Sequence, residues 1–439
     1  MICRKCQGIF QIRAFDNAVT RVILSGVFLV GWLSGCAIPN ARPVSATRDR
    51  AFIEYWPPQP GNKKLRLAVK DLIDMKGVVT TGGSEFLAKH SPPAKRDAKC
   101  LEIARQRGVQ FVGKTNLSEL AVAVSGMNAY YGNPRNPLRD SLIPGGSSSG
   151  SAVAVANEEA DVALGTDSAG SIRIPAADCG VVGLKTTFGL VPLKGVYPIA
   201  PTQLDTVGPM AKDIARTVLG MDLLESGFLN RYHQAVAAKP SAKDIRVGRL
   251  YIKGTSPAVD RAVDDALAAT GFKVVKLSQE FTDRWNQAQK DAATVAAVGA
   301  WIYDIKFQDE SEVTIRTKAV VALGGLQYKT SYPAALKAQP AWKAEVGKVF
   351  RKVDFIAMPT MKTLPPHVPF FGGTVVFEAQ VLALQNTQAV NFAGNPALAV
   401  PVPLSGGKGS VTSLQLIGPR LAEADLLNAG RLVESAVNR

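Results

Sequence analysis

The sequence predicts an α/β fold, a sheet layered by helices. Three observations predict it. Short apolar runs such as "LRLAVK", "DVALG" and "VDFIAMPT" alternate along the chain with segments of helical spacing. Hydrophobic residues make up 46% and charged residues 20% of the 439 positions, the balance of a globular chain. No internal repeat and no interior linker divides it, so one large domain is expected.

The N-terminus is set apart. Arg21 precedes "VILSGVFLVGWLSGC", an apolar run ending at Cys36. The run has the length of a signal-peptide core and is too short to span a bilayer comfortably. Residues 1–35 read as a lipoprotein-type signal peptide. Leu33-Ser34-Gly35-Cys36 resembles a lipobox, which implies cleavage before Cys36 and lipidation of its thiol. The long stretch from Met1 to Thr20 fits a start codon placed too far upstream. Cleavage would remove the CxxC of Cys3 and Cys6 and leave Cys100 and Cys179 as the unlipidated thiols, expected buried and free. Residues 36–64, rich in Pro, Arg and Asn, read as a tether, and 65–439 as the domain. The expected location is exported: held by the lipid on the periplasmic face of a membrane, the outer membrane being one option, or else periplasmic.

From Leu65 onward the elements follow in order. "LRLAVK" is a strand ending at Lys70. "PAKRDAKCLEIARQRG" has helical spacing and stops at Gly108. "VQFVG" is a buried strand and "LSELAVAVSG" a short helix. "PGGSSSGSAVAVA", from Pro144, has a linker's composition at its start, yet apolar residues crowd both sides and a small-residue helix follows it. "DVALG" is a strand leading into "TDSAGSIRIPA". Further on, "AVDRAVDDALAATG" is a helix capped by Gly271, and "FKVVKL" the next strand. Residues from Asp283 to Phe350 are mostly helical, interrupted at Pro333 and Pro340. "VDFIAMPT", "PALAVPVPL" and "VTSLQLIG" are strands, and "EADLLNAGRLVESAV" is a closing amphipathic helix.

Most chemistries are excluded by what the chain lacks. The formal charge of +15 is spread among acidic residues without a basic run, so no nucleic-acid partner is expected. The three histidines, His90, His233 and His367, form no metal-ligand spacing. There is no GxSxG elbow, and "GVVGLKTT" lacks the spacing of a P-loop. Serine paired with lysine remains. A lysine amine can act as a base for a serine once burial lowers its pKa from ~10.4. Lys70, at the end of an apolar run, has a plausible dry position. "GTDSAGS" (Gly165 to Ser171) offers a Gly-rich turn whose backbone N–H groups suit an oxyanion.

These residues are similar to the amidase signature hydrolases. The resemblance rests on "AVKDLIDMKGVVTTGGS", "VGKTNLSEL", "PGGSSSGSAVAVA", "ALGTDSAGSIRIPAADCGVVGLKTTFG", "LDTVGPMAKD", "DFIAMPT", "NFAGNPALAVPVPL" and "LQLIGPRLAEADLL", in that order. It implies a twisted mixed β-sheet core with helices on both faces and a Ser–cis-Ser–Lys catalytic set. Ser171 would be the nucleophile, Ser147 the middle serine behind a cis Gly146–Ser147 peptide, and Lys70 the base. The family keeps its serines 24 positions apart, as Ser147 and Ser171 are. The amides of Ser168, Ala169, Gly170 and Ser171 would hold the oxyanion. Ser148, Thr166, Asp167 and Arg173 would support the site, with Asp205, Lys114 and Asn116 in structural roles and Tyr130 and Tyr131 either lining a pocket or packing.

The chain departs from the family in several places. Ser168 and Ala169 stand where Thr and Gly are usual, Ala169 being acceptable where its φ is negative. Thr186 replaces a usual Pro, and the middle region matches no motif. The implied activity is hydrolysis of a small or medium carboxamide to a carboxylate and ammonia or an amine, without a cofactor, with ester hydrolysis also open. Two other readings stand beside it: the glutaminase subunit of a tRNA-dependent amidotransferase, and a non-catalytic binding lipoprotein on the same fold. The sequence leaves the amide's identity and the oligomeric state open.

Overall fold

A computed structural model describes residues 48–370, 372–404 and 410–438. The signal peptide, Cys36 and the first part of the tether lie outside the described residues. Eleven strands form one sheet: β1 (Phe52–Tyr55), β2 (Arg66–Lys70), β3 (Gln110–Thr115), β4 (Val162–Asp167), β5 (Val182–Lys185), β6 (Thr206–Ala211), β7 (Arg246–Arg249), β8 (Lys273–Lys276), β9 (Phe355–Pro359), β10 (Ala397–Pro403) and β11 (Val411–Ile417). Their spatial order is β1-β3-β2-β4-β6-β5-β10-β11-β9-β7-β8. β2 runs parallel to β3 and β4, and β7 parallel to β8 and β9. The other pairings are antiparallel, so the sheet is mixed.

Both faces of the sheet are covered. Leu67 and Val69 of β2 join one core, with helices Ile214–Asp222, Phe228–Ala238, Pro257–Thr270 and Glu423–Val437. Ala68, between them, joins the core under helices Ser149–Ala156 and Arg173–Cys179. β9 repeats the alternation: Phe355 and Ala357 enter the first core, while Ile356 and Met358 meet helices Gln279–Asp304 and Tyr332–Phe350. A strand with both faces buried needs apolar residues at successive positions, which is why these strands read as continuous apolar runs. Each fully buried Val, Leu, Ile or Phe adds ~1.5–3 kcal/mol.

Four sequence expectations are corrected here. The tether was expected to run to residue 64, but β1 falls inside it. Phe52 is fully buried opposite Thr115, and the Asn116 N–H donates to the Ala51 carbonyl at 2.8 Å, so this segment is the sheet's edge. "LSELAVAVSG" forms only a 3₁₀ turn, Glu119–Ala121, because Leu120 and Ala121 adopt φ of 49° and 58°, which no right-handed helix accommodates. The helix expected before Gly108 shortens to a 3₁₀ turn, Lys99–Leu101, and Glu102–Gln106. Pro333 lies in the first turn of Tyr332–Phe350, where no N–H is needed. Pro340 does not end that helix. Gln339 Nε2 donates to the Phe392 carbonyl at 3.0 Å and Trp342 Nε1 to the Ala389 carbonyl at 2.8 Å, so tertiary bonds hold the helix on both sides of the missing N–H. Cys100 and Cys179 are buried and free.

Candidate active site

Three chain segments meet at one end of the central strands. Lys70 closes β2, Ser147 sits in the Gly/Ser turn before helix Ser149–Ala156, and Ser171 follows the turn that leaves β4. Lys70 Nζ lies 2.7 Å from Ser147 Oγ and 2.8 Å from Thr166 Oγ1. Lys70 and Ser147 are fully buried, and Ser171 keeps 6% exposure. Lys70 and Ser147 are therefore dry and Ser171 stands at the opening. Burial pushes the Lys70 ammonium down to about 7, against the opposing charges of Asp167 and Asp205. In its neutral form, Nζ accepts the Ser147 O–H and donates to Thr166 Oγ1.

The Gly/Ser segment is packed in place. Its Gly146–Ser147 peptide is cis, as the resemblance implied. A Cβ on Gly146 would lie 2.7 Å from the Gly126 nitrogen and 2.8 Å from Ser118 Oγ, so the backbone of residues 124–127 can approach only a glycine there. The Ser118 N–H donates to the Ser147 carbonyl at 3.2 Å, and the Ser148 N–H to the Ser171 carbonyl at 3.1 Å. Ser148 Oγ donates to the Thr166 carbonyl at 3.3 Å. These bonds join the two serine turns through their backbones. Among the described residues no hydrogen bond joins the Ser171 hydroxyl to Ser147, the remaining contact of the expected relay. Such contacts are often long in unliganded sites and tighten with substrate.

Asp167 organises the turn that carries Ser171. Its Oδ1 accepts the Gly170 N–H at 2.8 Å and its Oδ2 the Ile172 N–H at 3.2 Å. Arg173 grips the same carboxylate with Nη2 at 2.9 Å and Nε at 3.0 Å. Both residues are fully buried. Burial works to raise the Asp167 carboxyl, but the Arg173 charge and hydrogen bonds, helped by Lys185 and Asn391, hold it well below the usual carboxylate range. Arg173 also donates to the Thr387 carbonyl, Gln415 Oε1 and Asn391 Oδ1, which fastens the turn to the C-terminal part of the chain.

One oxyanion assignment is corrected. Gly170 was expected to offer its N–H, but Asp167 already holds that group. The N–H groups of Ser168, Ala169 and Ser171 take no acceptor in the loops of the described residues and remain open to an oxyanion. Gly170 is required for shape instead: its φ is 125°, and a Cβ would lie 2.1 Å from Thr387 Oγ1. Ala169 is not among the positive-φ residues, so its methyl group brings no backbone penalty, and its carbonyl accepts from Thr387 Oγ1 at 2.6 Å. Ser168 Oγ donates to Asp205 Oδ1 at 2.6 Å, and Asp205 also accepts the Ile199 and Ala200 N–H groups at 2.9 Å each. Burial pushes the Asp205 carboxyl up, opposed by these bonds.

The remaining expected residues support the frame. Lys114 pairs with Asp71 at 2.9 Å and donates to the Ile73 carbonyl at 2.7 Å. Asn116 Nδ2 donates to the Arg50 and Gly132 carbonyls. Tyr131 is buried and Tyr130 half-buried, their rings 4.7 Å apart. Sequence reasoning missed Thr387, Asn391 and Gln415, although "NFAGNP" and "LQLIG" had marked their neighbourhoods. It also gave no role to Lys185, which is fully buried, pushed down to about 7 by burial and by Arg173, and donates to the Thr186 and Asn395 carbonyls. Among the described residues no His/Cys/Asp/Glu group is arranged to hold a metal ion, and no helix is long and apolar enough to cross a membrane.

Known proteins resemble the chain over most of its length. The family model described as Amidase matches residues 65–427. A glutamyl-tRNA(Gln) amidotransferase subunit from Halobacterium salinarum is 32% identical over 409 residues, covering 84% of this chain and 94% of its own. A chain from the inhibitor-bound form of a vestigial protein complex, connected with the origins of an s-triazine catabolic enzyme, superposes with a TM-score of 0.75 at 26% identity, covering 95% of each chain. The 6-aminohexanoate cyclic dimer hydrolase bound to its substrate superposes with a TM-score of 0.73 at 25% identity over 85% of each chain.

Proposed function

The chain belongs to the amidase family, and on that premise we propose that it hydrolyses a carboxamide C–N bond through an acyl-enzyme on Ser171. The observation that carries the proposal is the buried contact of 2.7 Å between Lys70 Nζ and Ser147 Oγ, at a lysine brought down to about 7. Neutral Lys70 takes the Ser147 proton while Ser147 takes that of Ser171, whose Oγ attacks the amide carbon. The oxyanion meets the Ser168, Ala169 and Ser171 N–H groups, and losing one such donor typically costs ~10²–10³ in rate. The C–N bond then breaks and the proton returns through Ser147 to the leaving nitrogen. Water attacks the ester, gives its proton to the same relay, and releases the carboxylate and free Ser171.

A serine-reactive fluorophosphonate tests this reading. Label is expected on Ser171 and is expected to vanish in Lys70→Ala. Folded protein that takes no label at Ser171 refutes the acyl-enzyme.

The choice of amide divides into two readings. The relationship to the Halobacterium amidotransferase protein, spanning 94% of that relative, supports the glutaminase-subunit reading better than a free-standing amidase. Under that reading the chain releases ammonia from glutamine for a partner that amidates tRNA-bound glutamate. Ammonia release from glutamine, with and without such a partner, set against a panel of alkyl and aryl amides, separates the two. We also propose that the apolar run ending at Cys36 directs export and lipidation. Cys36→Ala should then move the protein out of the membrane fraction, and persistence there refutes the lipid anchor. Export would also separate the chain from tRNA, so location and substrate test one another.

A further inference from the structure

Two residues outside the quoted motifs, Glu378 and Arg316, reach into the catalytic machinery. Glu378 lies in the first turn of helix Val375–Ala383 and is 5% exposed. Its Oε2 accepts the N–H groups of Val124 at 3.1 Å and Ser125 at 3.0 Å, and its Oε1 accepts the Ser125 hydroxyl at 2.6 Å. Arg316, near the start of helix Ile315–Tyr328, places Nη1 3.2 Å from Glu378 Oε1 and donates from Nη2 to the Met127 carbonyl at 2.9 Å. Gly373 makes room for this guanidinium, since a Cβ there would lie 2.3 Å from Nη1. The pair thus holds residues 124–127 at both ends.

That loop is what Gly146 rests on. The Gly146 N–H donates to the Val124 carbonyl at 2.8 Å, and a Cβ on Gly126 would lie 2.2 Å from the Gly145 carbonyl oxygen. Ser147 follows directly. One carboxylate therefore sets one peptide unit, which sets the turn that aims Ser147 Oγ at Lys70. We infer that Glu378 and Arg316 are positioning residues for the Ser147 relay. They act through the 124–127 loop and, among the described residues, make no hydrogen bond to Lys70, Ser147 or Ser171. Small misplacements of a reacting group can cost ~10²-fold in rate, so a carboxylate remote from the reacting atoms can govern kcat.

The inference rests on the Ser171 acyl-enzyme, and one assay keeps the two apart. Wild-type labelling at Ser171 by a fluorophosphonate stands for that reading, and the labelling rate of the variants stands for this one. In Glu378→Gln, the amide can still accept the two N–H groups and donate to Ser125 Oγ, but its NH2 then faces Arg316 Nη1. The expected result is a loss of about tenfold or more in both kcat and labelling rate, with KM within about twofold, measured well below Tm. Arg316→Met, which frees the Met127 carbonyl, should also slow labelling by about threefold or more, with KM within about twofold. If Glu378→Gln does not fold, Ser125→Ala, which deletes only the hydroxyl, should still slow labelling by about threefold. Unchanged kcat and labelling in folded Glu378→Gln overturn the inference. A loss that falls on KM also overturns it, because it would assign the pair to substrate, and so does unchanged labelling in folded Arg316→Met.

Discussion

Activity should rise with pH on an acid limb set by Lys70. Only the neutral amine can take the Ser147 proton, and burial brings this lysine down to about 7. With one proton controlling the base, about a tenth of the enzyme is competent at about pH 6 and about nine-tenths at about pH 8. The worked expectation is a rise of about tenfold in kcat/KM across that range, measured by initial rates on a non-titrating anilide. Lys185 is also brought to about 7, so its titration must be separated. Its Nζ donates to the Thr186 and Asn395 carbonyls and reaches neither serine, so Lys185→Met should keep the limb. Thr166→Val removes an acceptor that favours the charged form of Lys70, and should move the limb to lower pH. A flat profile in the wild-type enzyme, or a limb that survives in the residual activity of Lys70→Ala, refutes the assignment of Lys70 as base.

Three further outcomes follow from the packing. Gly170→Ala places a Cβ 2.1 Å from Thr387 Oγ1 at a φ of 125°, so it should lower Tm and abolish labelling of Ser171. Arg173→Met leaves the Asp167 carboxylate buried without its partner and should cost ~3–5 kcal/mol, read from urea unfolding. Lys70 and Lys185 bind a proton less readily folded than unfolded, so the unfolded chain holds more protons above about pH 7. Stability should therefore rise with pH between about 7 and about 9, and Tm against pH should flatten in Lys185→Met.

The strands were legible because their signals are local, and Lys70, Ser147 and Ser171 were singled out through the resemblance to the amidase signature hydrolases. A strand buried on two faces shows as an apolar run, and Lys70, Ser147 and Ser171 each sit in a short motif at a fixed place relative to a strand. β1 was hidden because Pro57, Pro58 and Pro60, just beyond it, make the surrounding composition read as a tether, although "AFIEYW" carries strand-forming residues. The fate of the Gly170 N–H was within reach of sequence reasoning. Asp167 stands three residues before Gly170, the spacing at which a carboxylate captures a turn amide, and Asp was read only as support. The bonds from Arg173 to Thr387, Asn391 and Gln415 span more than two hundred residues, and no pattern in one sequence pairs positions so far apart.

The order in which the buried charges settle explains why Lys70 can be the base. Three cationic side chains, Lys70, Arg173 and Lys185, are fully buried around the serines. A guanidinium cannot surrender its proton in a protein, and its fork matches a carboxylate at two points. Arg173 therefore claims Asp167 with two bonds, and the carboxylate stays ionised. The amines carry the remaining desolvation cost, because an ammonium can shed its proton and stay buried as a neutral donor and acceptor. Asp167 and Asp205 raise Lys70, and burial outweighs them. Arg173→Lys is not conservative here: a point-charge ammonium cannot span both Asp167 oxygens, Asn391, Gln415 and Thr387 together.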